Sequence, residues 1–511
     1  MKKFLCSLLA LMLVCTAALN IAFADDPVKV KMFYSTSRPM NEFTELTRQK
    51  VLEDINVDMD LIQGGDNWKQ QLALYISGGD IPDLIAFMDA STFQGYAAEG
   101  AFADITDKVK NYPHIMEYLS QVSGYTLDDM LARTSVDGRI YGIPSVTIAR
   151  SYYTENIRTD WLAKVGKEIP VTLDDWTDVM RAFTFEDPDG NGKNDTYGFG
   201  GEGRGFNHMT PFLGAFGARP DQCYFLGEDG KVITNVISDD FKAGLAYIHS
   251  IYAEGLMDPE CFTTSDAQAY EKFVRGEFGI WNSWWSHAGN AVARYGYAET
   301  NPEDSIAIFN PPVGPDGKSG VIAQDPCENY FAISYTCENV DAVLSLIDYA
   351  CSTNGQRTLM WGVEGQFWTQ NANGDIDWYF GIDGKDKLGN EIKDMQVYRF
   401  FYHIPIENSV RVLSDNFASR LYQQSIATYS GVAVYPDLFL GLTSDAFVQY
   451  NSDLETYVKE SGIKFITGEL DLEKDWDNYV STYLSMGGEE VRTSLLDAYN
   501  TANGTSLVFA D

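Results

Sequence analysis

After its first two dozen residues the chain falls into a period of two: Val28, Val30, Met32 and Tyr34 alternate with their neighbours. That alternation predicts a strand with one buried face. Residues 40–54 then read as a helix and residues 57–62 as a second strand. In the stretch GGDNWKQQLALYISGGDIPDLIAF, Asp66 is placed to cap a helix running to Ile76. Gly78 and Gly79 end that helix and Pro82 keeps it ended. Residues 84–87 follow as a buried strand. Strand, helix, strand, helix, strand predicts an α/β lobe with a mostly parallel sheet.

The period then lengthens. In IPVTLDDWTDVMRAF, Thr172 stands as N-cap with Asp175 three residues on, and Trp176, Val179, Met180 and Phe183 share one helical face. ENVDAVLSLIDYACSTNGQ repeats the logic, with Asn339 as cap and Val340, Val343, Leu344, Ile347 and Cys351 inward. Near the end, Trp476, Tyr479, Val480, Tyr483 and Leu484 form another apolar face. No repeat, low-complexity tract or long Gly/Pro/Ser linker divides the chain, so two lobes would be joined by crossings of the chain.

The first residues change the picture from fold to location. Lys2 and Lys3, the short apolar run from Phe4 to Val14, and Ala22-Phe23-Ala24 before Asp25 have the order of a secretory signal peptide over residues 1–24. Val14 precedes Cys15 where a lipid-modified Cys wants a small residue, so plain cleavage is the stronger reading and lipid anchoring the weaker. No later stretch reaches the ~18 apolar residues of a membrane span. The formal net charge is −36. A field of that sign repels nucleic acid and anionic membranes and leaves room for a divalent cation. Beyond the signal lie Cys223, Cys261, Cys327, Cys337 and Cys351, an odd and scattered set that makes no disulfide framework. Small buried apolar residues is the better reading; pairing of Cys327 with Cys337 stays open.

Two stretches carry candidate chemistry. DPDGNGKND places Asp187, Asp189, Asn191 and Asp195 at the spacing of a calcium loop. Gly192 allows the sharp turn, and Lys193 can offer its carbonyl. The twelfth position is Gly198, which supplies no carboxylate, so the last ligand is missing or borrowed. A solvated Asx-rich turn is the alternative. The expected cofactor is a structural Ca2+. The second stretch is aromatic. GIWNSWWSHAG holds Trp281, Trp284 and Trp285, and WGVEGQFW holds Trp361, Phe367 and Trp368. Aromatic rings stack on the C–H faces of sugars while carboxylates, amides and guanidinium groups bind hydroxyls. Trp284, Trp285 and Trp368 lean to a cleft because Gly and polar residues interrupt the apolar pattern; Trp281 is balanced between cleft and core. Glu364, between two Gly, can bind a hydroxyl. Asp66 and Trp68 sit at a strand-to-helix turn, where open α/β sheets place ligands. Arg38 and Arg150 are further candidates on loops. GFGGEG (198–203) matches a dinucleotide-loop spacing but opens no helix and lies in no early βαβ unit. The five His show no metal spacing.

Several stretches, in order along the chain, resemble the family 1 extracellular solute-binding proteins of ABC sugar importers, of the long Gram-positive type. They include SGGDIPDLIAF (77–87), YGIP (141–144), IRTDWLAKVGKEIPVTLDDW (157–176), DPDGNGKNDTYGFG (187–200), EGLMDPECF (254–262), GEFGIWNSWW (276–285), FAISYTCENVDAVLSLIDYACSTNGQ (331–356), WGVEGQFW (361–368) and DWDNYVSTYLSMGG (475–488). The resemblance implies an α/β, two-lobe periplasmic-binding-protein (Venus-flytrap) architecture with several interlobe crossings. One lobe would take residues 25–145 plus about 286–345. The other would take 146–285 plus about 346–511 and carry the calcium-type loop 187–198. It implies an extracellular or surface-associated monomer that captures an oligosaccharide by lobe closure. The captured solute would pass to a permease driven by a cytoplasmic ATPase. Many relatives carry a clear lipobox; this chain does not. Two other readings stand beside it. A secreted hydrolase or lyase would need two carboxylates about 5–10 Å apart across a sugar, and with 73 acidic residues some pair will always qualify. A peptide or other small solute would keep the fold and change the ligand.

Overall fold

The structure is a computed structural model, and it describes residues 26–34, 42–122, 125–146, 151, 153–201, 205–323, 325–366, 368–370, 376–378, 417–442 and 444–510. Residues 1–25, Cys15 among them, and Arg38 and Arg150 lie outside the described residues.

Two sheets organise the chain. Their strands are β1 (Val28–Tyr34), β2 (Val57–Gln63), β3 (Leu84–Met88), β4 (Gly142–Val146), β5 (Tyr153–Arg158), β6 (Tyr197–Gly200), β7 (Phe278–Trp284), β8 (Ile306–Phe309) and β9 (Cys327–Ile333). The first sheet has the order β2-β1-β3-β9-β4, the second β8-β5-β7-β6. In the first, β1 runs parallel to β2 and β3, while β9 returns antiparallel between β3 and β4. In the second, β7 is parallel to β6 and antiparallel to β5, and β8 is antiparallel to β5. The expected opening pattern is therefore present, and β1 buries Val30, Met32 and Phe33.

The helices used below are α1 (Glu42–Ile55), α2 (Trp68–Gly78), α3 (Leu127–Ala132), α4 (Leu173–Phe185), α5 (Val340–Cys351), α6 (Phe417–Gly431) and α7 (Trp476–Tyr483). α4 carries the expected reciprocal cap: the Thr172 side chain accepts from Asp175 N and the Asp175 carboxylate accepts from Thr172 N. Its buried face includes Trp176, Val179, Met180 and Phe183. α2 departs from expectation. It begins at Trp68 with Asn67 at the cap position and no side-chain cap bond, because Gly65–Asn67 form a 3₁₀ turn before it. Asp66 is thus not the cap. Gly79, at φ 73°, closes the helix in the left-handed conformation.

Each sheet has its own core. The first joins Val30 through Val146 with Cys327 through Leu359; the second joins Ile157 through Phe309 with Phe439 through Leu496. The chain crosses between β4 and β5, between β8 and β9, and again after Leu359. These cores divide the chain differently from the expected boundaries. β8 pairs with β5, and the segment His287–Arg294 packs on Trp281, so residues 287–309 go with the second sheet. α5 belongs to the first core through Val343, Leu344 and Ile347. Strand pairing and core packing, both long-range properties, decide these memberships. Cys223, Cys261, Cys327, Cys337 and Cys351 are free. Cys327 opens β9 and Cys337 lies beyond its end, so roughly 20 Å of extended strand separates them, far beyond the ~7 Å Cα limit of a disulfide. Among the described residues no helix is long and apolar enough to cross a membrane.

Candidate ligand-binding site

The strand topology brings the C-terminal ends of β1, β2, β3 and β4 to one edge of the first sheet. Half-buried rings collect there. Tyr34 ends β1 and meets Phe87 near the end of β3, with centroids 4.9 Å apart and planes at 75°. Phe87 has φ 65°, where a bulky side chain is strained. The register of β9 against β3 shifts at the same place, so a bulge absorbs the residue and aims its ring along the edge. Trp68 stands at the start of α2. A Cβ on Gly64 would lie 2.6 Å from the Trp68 Cβ and 2.7 Å from the Phe33 ring, so the turn before the helix has room only for glycine. The Lys69 ammonium lies 5.4 Å from the Trp68 ring centroid and 2.7 Å from the Asp89 carboxylate. Burial opposes the Asp89 charge, but Lys69, the Thr92 backbone N–H and Ser91 hold its pKa down at about 2. This edge therefore offers an aromatic face beside a fixed ion pair.

The second sheet presents β7 and β5 in the same way. Cross-strand pairs run Ile280–Ile157, Asn282–Glu155, Trp284–Tyr153. Because strand side chains alternate, these three pairs share one face, and Trp281 and Ser283 point to the other. That alternation separates the tryptophans. Trp284 reaches the strand end half-buried, its ring 5.7 Å from Tyr153 at 84°. Trp285 follows, half-buried, 5.8 Å from Tyr422 and packed by Val321 and Val432. Trp281 is fully buried among Tyr270, Phe273 and Phe278, and so is a core residue that shows no face to a solute. Trp368 is also buried, and its indole N–H donates to Gly362 O at 3.1 Å, which leaves little of its ring for stacking. Glu364 is exposed in the same turn, bridged to Trp368 through the backbone. The Asp66, Trp361 and Phe367 side chains lie outside the described residues.

Behind Trp284 is a polar layer that residue types alone do not reveal. The Asn282 amide donates from Nδ2 to both Glu155 carboxyl oxygens, each at 3.0 Å. His208 Nδ1 lies 2.9 Å from Asn282 O and 3.2 Å from Asn282 Oδ1. Glu155, Asn282 and His208 are all buried. Burial pushes the Glu155 carboxyl up to about 8, and the Asn282 hydrogen bond offsets only part of the shift. Tyr34, Phe87, Tyr153 and His208 were missed in the sequence. For Tyr34 and Tyr153 the available signal was an aromatic at a strand terminus.

A separate cavity of about 1010 Å³ opens between the lobes. Tyr125, Asp129 and Arg133 beside α3 form one wall, and Tyr224, Phe225 and Tyr435 form the other. Ala323 and Pro326 of a crossing segment line it too. Among the described residues, none of the expected aromatic or metal residues lines it. Arg133 lies 3.8 Å from Asp325 and against Gly441, where a Cβ would collide with its guanidinium.

The loop after α4 is tied by its own side chains. Asp187 accepts from Gly192 N at 3.0 Å, Asp189 accepts from Asn191 N and Nδ2, and Asp195 accepts from Asn191 Nδ2 at 3.0 Å. Lys193 N donates to Asn191 Oδ1 at 2.8 Å. Gly190 and Gly192, both at φ near 77°, make the turn. Burial raises the Asp187 pKa, but the Gly192, Asn191 and Gly190 N–H groups together with Asp189 bring it below its ordinary value. Its Oδ1 is buried with no hydrogen-bond partner. An all-oxygen donor set with one orphaned carboxylate oxygen fits a hard cation. The side chains are not drawn together on a centre, however: among the described residues no three His, Cys, Asp or Glu are gathered as metal ligands. Downstream, the first two glycines of GFGGEG serve packing. A Cβ on Gly198 would lie 2.5 Å from Met180, and one on Gly200 would enter the Phe278 ring.

Residues 37–357 match the family model described as bacterial extracellular solute-binding protein. The chain is 26% identical over 461 residues to "Lipoprotein LipO" of Bacillus subtilis, covering 85% of each chain. It is 25% identical over 502 residues to the fructooligosaccharide ABC transporter substrate-binding protein FusA of Streptococcus pneumoniae, covering 90% of this chain and 88% of FusA. An EF-hand mutant of FusA solved with fructo-nystose superposes with a TM-score of 0.64 at 21% identity, over 93% of this chain and 99% of that one. The alginate-binding protein AlgQ2, solved without calcium ion, superposes with a TM-score of 0.68 at 21% identity, over 93% of this chain and 99% of AlgQ2. These superpositions establish the two-lobe fold.

Proposed function

The chain belongs to the family of bacterial extracellular solute-binding proteins, and from that premise we propose that it captures an oligosaccharide for an ABC importer. The observation that carries the reading is the pair of aromatic strand edges, Tyr34, Phe87 and Trp68 on the first lobe and Tyr153, Trp284 and Trp285 on the second. Rings supplied from both lobes stack on the two C–H faces of a sugar when the lobes close. Hydroxyls are met by Asp66, Glu364, Arg38 and Arg150, and by Asp89 beside Lys69. No bond is made or broken. The solute stabilises the closed form by binding it better, and the permease, with its cytoplasmic ATPase, receives that form from a monomeric carrier. FusA and AlgQ2, by what they bind, support a glycan as the ligand class. The formal charge of −36 disfavours a highly anionic glycan. The residues before Asp25 act as an export signal, with lipid anchoring at Cys15 the weaker reading.

The test is a melting assay on the mature protein at fixed calcium, against mono- and oligosaccharides with peptides as controls. A ligand that binds only the folded state stabilises it by about 2.7 kcal/mol at one hundred times its Kd. One glycan class should raise the melting temperature. A shift with peptides alone would move the function to a peptide carrier.

In the loop after α4 we propose a structural calcium ion held by the Asp187, Asp189, Asn191 and Asp195 side chains and the Lys193 carbonyl. The ion would neutralise clustered carboxylates and stiffen the turn; it takes no part in solute capture. Chelation should lower the melting temperature and calcium restore it, with no response in Asp187→Ala. An unchanged melting temperature on chelation would make the stretch an Asx-rich turn.

A further inference from the structure

We propose that Glu155, Asn282 and His208 form a buried positioning relay that fixes the orientation of the Tyr153–Trp284 pair. The proposal rests on the reading of that pair as part of the solute-binding edge. Its first support is register. Ile157–Ile280, Glu155–Asn282 and Tyr153–Trp284 are successive cross-strand pairs on one face of the second sheet, so the polar pair lies between the apolar core and the aromatic edge.

The second support is that each hydrogen bond leaves the next group one orientation. The Glu155 oxygens take both of their contacts from the Asn282 Nδ2 donor. This turns Asn282 Oδ1 towards His208, where it joins Asn282 O as an acceptor facing Nδ1. Two acceptors around Nδ1 require a proton there, which settles the tautomer and the ring plane. The His208 ring then meets Tyr153 at 86°, with centroids 6.1 Å apart, and Tyr153 meets Trp284 at 84°. Edge-to-face contacts depend on ring angle, so the orientation passes from the carboxyl to the indole.

The third support is cost. A carboxyl at 1% exposure, with an amide as its hydrogen-bond partner, is an expensive occupant of a β-sheet core. An apolar pair would pack there more cheaply, so the polar layer contributes orientation at the expense of stability. Asn156, on the opposite face, spends its amide on Trp281 O and Ser283 Oγ and takes no part.

The experiment compares Glu155→Gln, Glu155→Leu and wild type by near-UV circular dichroism in the indole band, by melting temperature, and by affinity for fructo-nystose or the panel glycan with the largest melting shift. Glu155→Gln keeps an acceptor for Asn282 and should leave band and affinity near wild type. Glu155→Leu leaves the buried Asn282 amide without its acceptor and should melt lower than wild type, change the indole band and weaken glycan binding at least tenfold. The band change should vanish in a Trp284→Phe background. Should Glu155→Leu fail to fold, His208→Phe, which keeps a ring and loses the N–H, is read in the same way. A folded Glu155→Leu with unaltered band and affinity overturns the relay, as does a band change that survives Trp284→Phe. If no glycan binds at all, the saccharide reading fails, and the indole band alone decides the relay.

Discussion

At the scale of single residues, neighbouring tryptophans in the eleven-residue stretch GIWNSWWSHAG have opposite fates. Trp281 and Trp284 lie three apart on a strand, so they face opposite sides of the sheet. Trp281→Ala should cost about 3–5 kcal/mol of stability through the cavity it leaves. Trp284→Ala should leave the melting temperature nearly unchanged and weaken glycan binding at least tenfold. Paired denaturation and calorimetric titrations read both outcomes. The spacing of aromatics was legible in the sequence; the strand that divides them was not. Glu155 gives a second expectation. Its carboxyl pKa rises on folding from 4.5 to about 8. Between those values the unfolded chain has released a proton that the folded chain keeps, so stability falls as pH rises. The limiting slope is about 1.4 kcal/mol per pH unit for one proton. Denaturant melts from pH 5 to 8 should show this fall in wild type and a shallower one in Glu155→Gln. Equal slopes would mean that the carboxyl is ionised in the folded protein. Asp437, raised from 3.8 to about 6, adds a fall of the same sign at lower pH.

At the scale of elements, what could be read depended on range. The first three strands and α4 were legible because alternation, a cap and a helical face are local signals. α4 shows how little sequence is needed, since Thr172 and Asp175 satisfy each other's backbone N–H groups. Thr172→Ala should cost about 1 kcal/mol, read as a lowered denaturation midpoint at an unchanged m-value. The start of α2 was misread because a 3₁₀ turn moved the cap from Asp66 to Asn67. The place of β9 between β3 and β4 could not be read, because its partners lie far away in the chain and no window contains them. The bulge that holds Phe87 at positive φ depends on that pairing, so this part of the candidate site stayed hidden too.

At the scale of the whole molecule, the two cores are joined by crossing segments, and the cavity of about 1010 Å³ is walled by both lobes. Any relative motion of the lobes must change its volume. A bulky side chain placed there should therefore shift the closing equilibrium without touching the solute. Leu440 lines this cavity, and Leu440→Trp should alter glycan affinity by severalfold in titration, with Trp284 and Trp68 intact. Unchanged affinity would make the cavity a passive gap. The proposed capture between the two aromatic edges requires a contribution from each lobe. The most direct measurement is calorimetric titration of a panel-positive oligosaccharide into wild type, Trp68→Ala and Trp284→Ala, one substitution in each lobe. The expected result is saturable binding to wild type and a loss of at least tenfold in each variant, with melting temperatures preserved. Wild-type affinity in both variants would contradict capture between the two aromatic edges.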